Sequence, residues 1–140
     1  MRKRKFWGWG YADELLSAEE EKNIDSRIAK TFQLDDIETL PIPKVEDIDL
    51  PKPRLSAPSA LAKVLSEDKE ERLNHTYGKS FPDAARSLLK DFTSPPDLVA
   101  FPNTEDELIN VMDWCDESNI AVIPYGGGSS VCGGVETQVG

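Results

Sequence analysis

The sequence predicts an α+β chain in two parts: a mostly helical and extended region over residues 1–93, and the start of a second domain over residues 94–140. Two observations lead to this division. The chain changes character at Ser94-Pro95-Pro96, where polar, proline-broken sequence gives way to more apolar sequence. Beyond these prolines, an apolar run, a helical stripe and a second apolar run follow in the order of a β-α-β unit.

A capping-box pattern predicts the first helix, over residues 18–32. Ser17 stands at the N-cap and Glu20 follows three residues later, so each side chain can satisfy a backbone N–H of the first turn. Apolar residues then recur at every fourth position on one helical face, at Ile24, Ile28 and Phe32.

Five prolines between residues 41 and 58 exclude a helix or a central strand there, because proline lacks the N–H that both require. This segment is predicted to be an extended connector on a surface. Short helices are predicted near residues 58–65, 67–75 and 83–91. Gly78 is expected to close the second of them, and Pro82 to lie in the first turn of the third.

Residues 97–124 are predicted to form a strand, a helix and a second strand, the last at residues 120–123. Thr104 and Glu107 have the spacing of another capping box, and Asn119 is expected to end the helix in a left-handed conformation. Four side chains are predicted to face the core from this helix: Leu108, Val111, Met112 and Cys115.

The composition limits the classes of function. A formal net charge of −10 disfavours binding to nucleic acid, whose phosphates repel an acidic chain. With a single histidine, His75, and two separated cysteines, Cys115 and Cys132, a Cys/His metal site cannot be assembled and a disulfide framework is not expected. The sequence has no membrane-spanning apolar run and no secretory signal, which favours a reduced, cytoplasmic setting.

Two further features are interpreted as structural. The aromatic rings within residues 6–11 are expected to anchor the N-terminus on a larger body. The basic run at residues 1–5 is expected to be a solvated terminus, with contact to an anionic surface as the alternative. His75 is interpreted as a residue that serves the end of a helix.

Residues 124–130, Pro-Tyr-Gly-Gly-Gly-Ser-Ser, follow the second predicted strand, at the edge where open α/β sheets bind ligands. Glycine lets backbone N–H groups approach a ligand closely, and successive N–H groups form a nest for an anion such as a pyrophosphate. The hydroxyls of Ser129 and Ser130 add donors. No lysine or arginine occurs after Lys90, so the backbone would hold such an anion unless charge came from elsewhere in the chain. A flexible turn without a ligand is the alternative.

Known nucleotide and acyl-transfer motifs do not fit this loop. A P-loop requires lysine where Gly134 stands, and the dinucleotide fingerprint requires glycine where Val131 stands. The nucleophile elbow G-x-S-x-G is absent as well.

Residues 96–102, the helix after them and residues 122–131 together resemble the start of a PCMH-type FAD-binding domain of the vanillyl-alcohol oxidase superfamily. In that family the segment P-x-G-G-G-[TS]-S wraps the FAD pyrophosphate with backbone amides. The resemblance implies FAD as cofactor, bound by Pro124, Tyr125, Gly126, Gly127, Gly128, Ser129 and Ser130. Members that attach FAD covalently through this loop have a histidine where Gly128 stands, so non-covalent FAD is implied. Tyr125 would either stack near the flavin or cover the loop.

Residues 5–11 (KFWGWGY), 72–75 and 78–83 resemble alkyldihydroxyacetonephosphate synthases and their bacterial relatives, although Phe6-Trp7 departs from the usual Trp-Asn order. The resemblance implies the N-terminal part of a longer flavoenzyme of ether-lipid synthesis that exchanges a fatty acyl group for a fatty alcohol. Its catalytic residues would lie downstream of Gly140. An FAD-dependent D-2-hydroxy acid dehydrogenase and a non-catalytic acidic interaction module are the alternatives. The expected substrate is a small lipid or hydroxy acid, and a homodimer or a peripheral membrane contact is compatible with it.

Overall fold

The computed structural model describes residues 2–137 as four α-helices and one two-stranded antiparallel sheet. The elements in chain order are α1 (Ala18–Phe32), β1 (Leu65–Ser66), α2 (Lys69–Asn74), α3 (Phe81–Leu88), β2 (Val99–Ala100) and α4 (Glu105–Glu117). Short 3-10 turns lie at Val45–Asp47 and Ser59–Leu61, so the helix predicted near residues 58–65 is only a turn that leads into β1. The α+β class is confirmed.

Helix α1 has the predicted bounds because its capping box is complete. The Ser17 side chain accepts a hydrogen bond from Glu20 N, and the Glu20 carboxylate accepts one from Ser17 N at 2.8 Å. No side chain of α1 is buried, and Ile24, Ile28 and Phe32 expose 39%, 37% and 68% of their surface. Residues 2–137 therefore leave the apolar face of α1 uncovered.

The aromatic segment anchors the N-terminus, as predicted. Phe6 is buried in a core cluster whose other members are Ile48, Leu73, Tyr77 and Phe92. The Phe6 ring meets the Phe92 ring edge to face with 5.9 Å between centroids, and an antiparallel bridge joins Arg4 to Tyr11. Ile48 brings the proline-rich connector into the same cluster, so the connector lies against α2 instead of standing free.

Helices α2 and α3 form close to their predicted positions, with boundaries set by side-chain caps. Helix α2 ends at His75, not at Gly78, and the His75 ring nitrogen Nδ1 lies 2.7 Å from the Glu71 carbonyl oxygen. Helix α3 begins earlier than predicted because Ser80 and Asp83 form a capping box, with proline in the first turn as expected. His75 thus has the structural role interpreted from the sequence.

The strand that precedes α4 forms, but its pairing differs from the prediction. Strand β2 pairs with β1 in an antiparallel register that sets Ser66 opposite Val99. Residues 120–123 have no ladder partner within residues 2–137, so the parallel pair of the predicted β-α-β unit is not formed there. An apolar run becomes a strand only when a neighbour supplies hydrogen bonds, and sequence pattern alone does not show that neighbour. The sheet spans the predicted boundary at residue 94, which stays a prediction.

The core face of α4 is narrower than predicted. Val111 and Cys115 are buried in a second cluster with Leu61 and Val64. Leu108 and Met112 are 48% and 46% exposed. At 3.6 residues per turn, these two positions lie on one edge of the stripe, turned away from the residues that cover Val111 and Cys115. Asn119 ends the helix with a φ of 53°, as predicted.

Within residues 2–137, no helix has both the length and the apolar character that a membrane crossing requires. Cys115 and Cys132 are free thiols, the first buried and the second exposed.

Candidate anion-binding loop

Tyr125 fixes the start of the glycine loop, which we define as residues 124–130. Its hydroxyl donates a hydrogen bond to the Asn74 carbonyl at 2.8 Å, and the Tyr77 carbonyl lies 3.1 Å away. The Tyr125 ring lies 4.5 Å from the His75 ring, centroid to centroid. Burial raises the pKa of the Tyr125 phenol, which keeps the donated proton in place. The Tyr125 side chain thus holds the loop against residues 74–77, which agrees with contact to the loop rather than with stacking on a ligand.

Ser130 fixes the far end of the loop. Its carbonyl oxygen accepts a hydrogen bond from Lys79 N at 2.7 Å, and its hydroxyl accepts one from Gly134 N at 3.2 Å. A Cβ at Gly78 would overlap the Ser130 carbonyl oxygen, so only glycine permits this approach. Gly78, predicted to end a helix, therefore serves the seating of the loop.

The three consecutive glycines have different surroundings. Gly128 is buried with a φ of +67°, and a Cβ there would overlap the Tyr125 hydroxyl. A Cβ at Gly126 or Gly127 would meet no heavy atom within 4 Å. Gly128 is therefore required by the fold, whereas Gly126 and Gly127 border open space in residues 2–137.

The backbone of the loop presents a row of free donors. None of the amide N–H groups of residues 126–130 donates a hydrogen bond to another group in residues 2–137. Gly126, Gly127 and Ser129 are exposed. Successive unpartnered N–H groups on exposed backbone are the arrangement that binds an anion such as a pyrophosphate.

A cation reaches the loop from the opposite end of the chain. Arg4 Nη1 donates to the Gly127 carbonyl at 3.4 Å, across 123 positions of sequence. Arg4 is exposed, as the interpretation of residues 1–5 as a solvated terminus requires, and the burial of Phe6 two residues further on brings Arg4 next to the loop. The adjacency of the basic run to the aromatic anchor indicates that Arg4 lies near the body of the protein, but it does not show which residues Arg4 contacts.

An ion-pair network joins α3 to the segment that follows the glycine loop. Arg86 pairs with Asp83 at 2.5 Å and with Glu136 at 2.9 Å. Burial alone would raise the pKa of Asp83, but hydrogen bonds from Ser80 and Arg86 outweigh it and hold that pKa below its ordinary value. Within residues 2–137, no cluster of His, Cys, Asp and Glu could hold a metal ion.

An open groove of about 1210 Å³ begins at Gly126 and runs along α4. Apolar side chains form much of its lining, among them Phe101, Leu108, Met112 and Val122. The groove explains why Leu108 and Met112 are half exposed: they line it instead of the core. The first residues of the loop, Pro124, Tyr125 and Gly126, thus also line the groove.

Comparison with known proteins shows what this region is similar to. The family model described as FAD binding domain matches residues 96–140. Alkyldihydroxyacetonephosphate synthase of Trypanosoma brucei brucei is 37% identical over 94 residues, which cover 62% of this chain and 15% of that protein. D-lactate dehydrogenase [cytochrome] 1, mitochondrial, of Saccharomyces cerevisiae is 24% identical over 136 residues, which cover 91% of this chain and 23% of that protein. The chain therefore spans less than a quarter of the length of either relative.

A solved structure of alkyldihydroxyacetonephosphate synthase in P1 has the same fold. It superimposes with a TM-score of 0.76 and 23% identity, over 95% of this chain and 30% of the other. The free amides at residues 126–130 and the open space at Gly126 and Gly127 fit the diphosphate of FAD.

Proposed function

We propose, for a chain whose residues 96–140 match the family model described as FAD binding domain, that the glycine loop binds the pyrophosphate of FAD. The observation that carries the proposal is the row of unpartnered amides at residues 126–130, beside open space at Gly126 and Gly127. A hydrogen bond to a charged group contributes about 1.5–3 kcal/mol. The proposed cofactor-binding residues are those inferred from the sequence: Pro124, Tyr125, Gly126, Gly127, Gly128, Ser129 and Ser130.

Within this set, the residues have separate tasks. Gly126 and Gly127 bring their amides against the phosphates, and the exposed Ser129 adds a hydroxyl donor. Tyr125 and Gly128 shape the turn, since the two fit against each other without a Cβ between them. We propose that the cofactor is held non-covalently, because Gly128 offers no side chain for attachment.

For the whole enzyme we propose acyl-to-alkyl exchange on an acylated dihydroxyacetone phosphate, with FAD supplying a ring that accepts and returns electrons. The synthase relative supports this choice over a D-2-hydroxy acid dehydrogenase, since its identity to this chain is higher. The N-terminal segment at residues 5–11 also supports it, because its sequence resembles the synthases. A non-catalytic interaction module has no such support.

The test uses the protein product of the complete reading frame that carries this chain. We expect a flavin absorbance spectrum in the purified protein, and release of all flavin as FAD on acid precipitation. Protein that takes up no flavin, even after incubation with excess FAD, would refute the cofactor proposal. Flavin that stays with the precipitate would refute non-covalent binding.

Substrate choice needs a second assay on the flavin-loaded protein. We expect incorporation of labelled fatty alcohol into a product formed from acyl-dihydroxyacetone phosphate. Reduction of an electron-accepting dye by D-lactate, without alcohol incorporation, would favour the dehydrogenase instead.

A further inference from the structure

We infer that Arg4 supplies the positive charge that the glycine loop lacks, so that its guanidinium and the loop amides bind the same pyrophosphate. The inference rests on the proposed function of the loop. Its starting point is the contact of Arg4 Nη1 with the Gly127 carbonyl at 3.4 Å. A guanidinium has five N–H donors, so a single contact with a carbonyl leaves others for phosphate oxygens.

Two other cations of the basic run are paired with carboxylates. Arg2 pairs with Asp13 at 2.7 Å, and Lys3 pairs with Glu70 at 2.7 Å. Lys79 directs its ammonium to the Lys5 carbonyl at 3.1 Å. Within residues 2–137, Arg4 has no carboxylate within 4 Å.

The position of Arg4 is fixed by the fold around it. Its backbone forms the bridge to Tyr11, and Phe6, two residues further on, is 7% exposed in the core. Lys79 connects this segment to the loop. Its ammonium donates a hydrogen bond to the Lys5 carbonyl, and its backbone N–H donates one to the Ser130 carbonyl. Folding therefore places the backbone of Arg4 beside the loop, and ligand binding has only to order its side chain.

Because the chain is acidic, a single cation beside the loop has a large effect on the binding of an anionic ligand. At a formal net charge of −10, the protein repels an anionic ligand at long range. Amide dipoles attract a phosphate only at contact distance, whereas a guanidinium acts over roughly a Debye length. Loss of Arg4 should therefore weaken binding of a phosphate-containing ligand and reduce the dependence of that binding on salt.

The experiment measures flavin dissociation constants by fluorescence titration of flavin-free protein from the complete reading frame. The variants are Arg4→Gln, Arg4→Lys and the matched control Arg2→Gln, which removes the same charge two residues away. We expect Arg4→Gln to weaken FAD binding by about 10- to 100-fold. Arg2→Gln should change it by less than about threefold. Arg4→Lys keeps the charge but not the guanidinium, so it should lose less affinity than Arg4→Gln. Binding of riboflavin, which has no phosphate, should be equal in all four proteins.

Each remaining outcome contradicts the inference in a distinguishable way. If the wild type binds FAD and Arg4→Gln binds it equally well, the inference is wrong and the proposed function stands. Equal losses in Arg4→Gln and Arg2→Gln, or a parallel loss of riboflavin, would assign Arg4 a structural role only. If the wild-type protein binds no FAD, both the proposed function and the inference are refuted. If Arg4→Gln does not fold, Arg4→Lys and the salt dependence of the wild type decide the matter.

Discussion

Replacing Gly127 with valine separates the fold of the glycine loop from its ligand. A Cβ at this position meets no heavy atom within 4 Å, and no positive φ disfavours a side chain there. The free energy of unfolding of the flavin-free protein should therefore change by less than about 0.5 kcal/mol. The valine methyls would nevertheless occupy the space beside the loop amides, where the phosphates of FAD are proposed to lie.

Loss of one or two amide contacts, each contributing about 1.5–3 kcal/mol, should weaken FAD binding by roughly ten- to several-hundred-fold. The assay is the ratio of flavin to protein after dialysis, together with circular dichroism and a urea unfolding curve. Gly8→Val is the matched control, because a Cβ at Gly8 also meets nothing within 4 Å and Gly8 belongs to the N-terminal segment. A folded Gly127→Val protein that keeps stoichiometric FAD would refute the reasoning and leave the loop as a turn.

Four further substitutions test the framework around the loop. Gly128→Ala should lower the free energy of unfolding by at least about 1–2 kcal/mol, from the left-handed φ alone, and an unchanged urea midpoint would contradict the described turn. Val111→Ala should lower the free energy of unfolding by about 2 kcal/mol and Met112→Ala by less than about 1 kcal/mol, because only Val111 is buried. Equal losses would show that the buried face of α4 is assigned to the wrong residues. Hydrogen bonds hold the pKa of Asp83 below its ordinary value, so its contribution to stability is complete above about pH 4 and is lost as the pH falls through the lowered pKa. Asp83→Asn should flatten that acid limb of the stability profile, and an unaltered limb would exclude Asp83 as its source.

Features decided by neighbouring residues could be predicted from the sequence. The bounds of α1 depend on one local pair, Ser17 and Glu20, and both partners are visible in the sequence. The left-handed end of α4 at Asn119 is equally local. The glycine loop could be recognised because its motif is contiguous.

Features decided by distant residues could not be predicted. Strands β1 and β2 are two residues long, so neither has a recognisable alternation, and their pairing joins segments more than thirty residues apart. Which side chains of α4 are buried depends on where Leu61 and Val64 lie, and not on the period of the helix itself. The contact of Arg4 with the loop depends on the burial of Phe6, which is likewise non-local.

The hydrogen bonds that join the loop to Asn74, Tyr77 and Lys79 have a consequence for folding during synthesis. Translation proceeds from the N-terminus, so the ribosome releases these three residues before it releases residues 124–130. Glycine-rich backbone loses more conformational entropy on ordering than other backbone does. Here the late-emerging glycines reach a surface whose carbonyl acceptors and backbone donor have already been synthesised. The glycine loop is therefore held at both ends by residues that are synthesised before it.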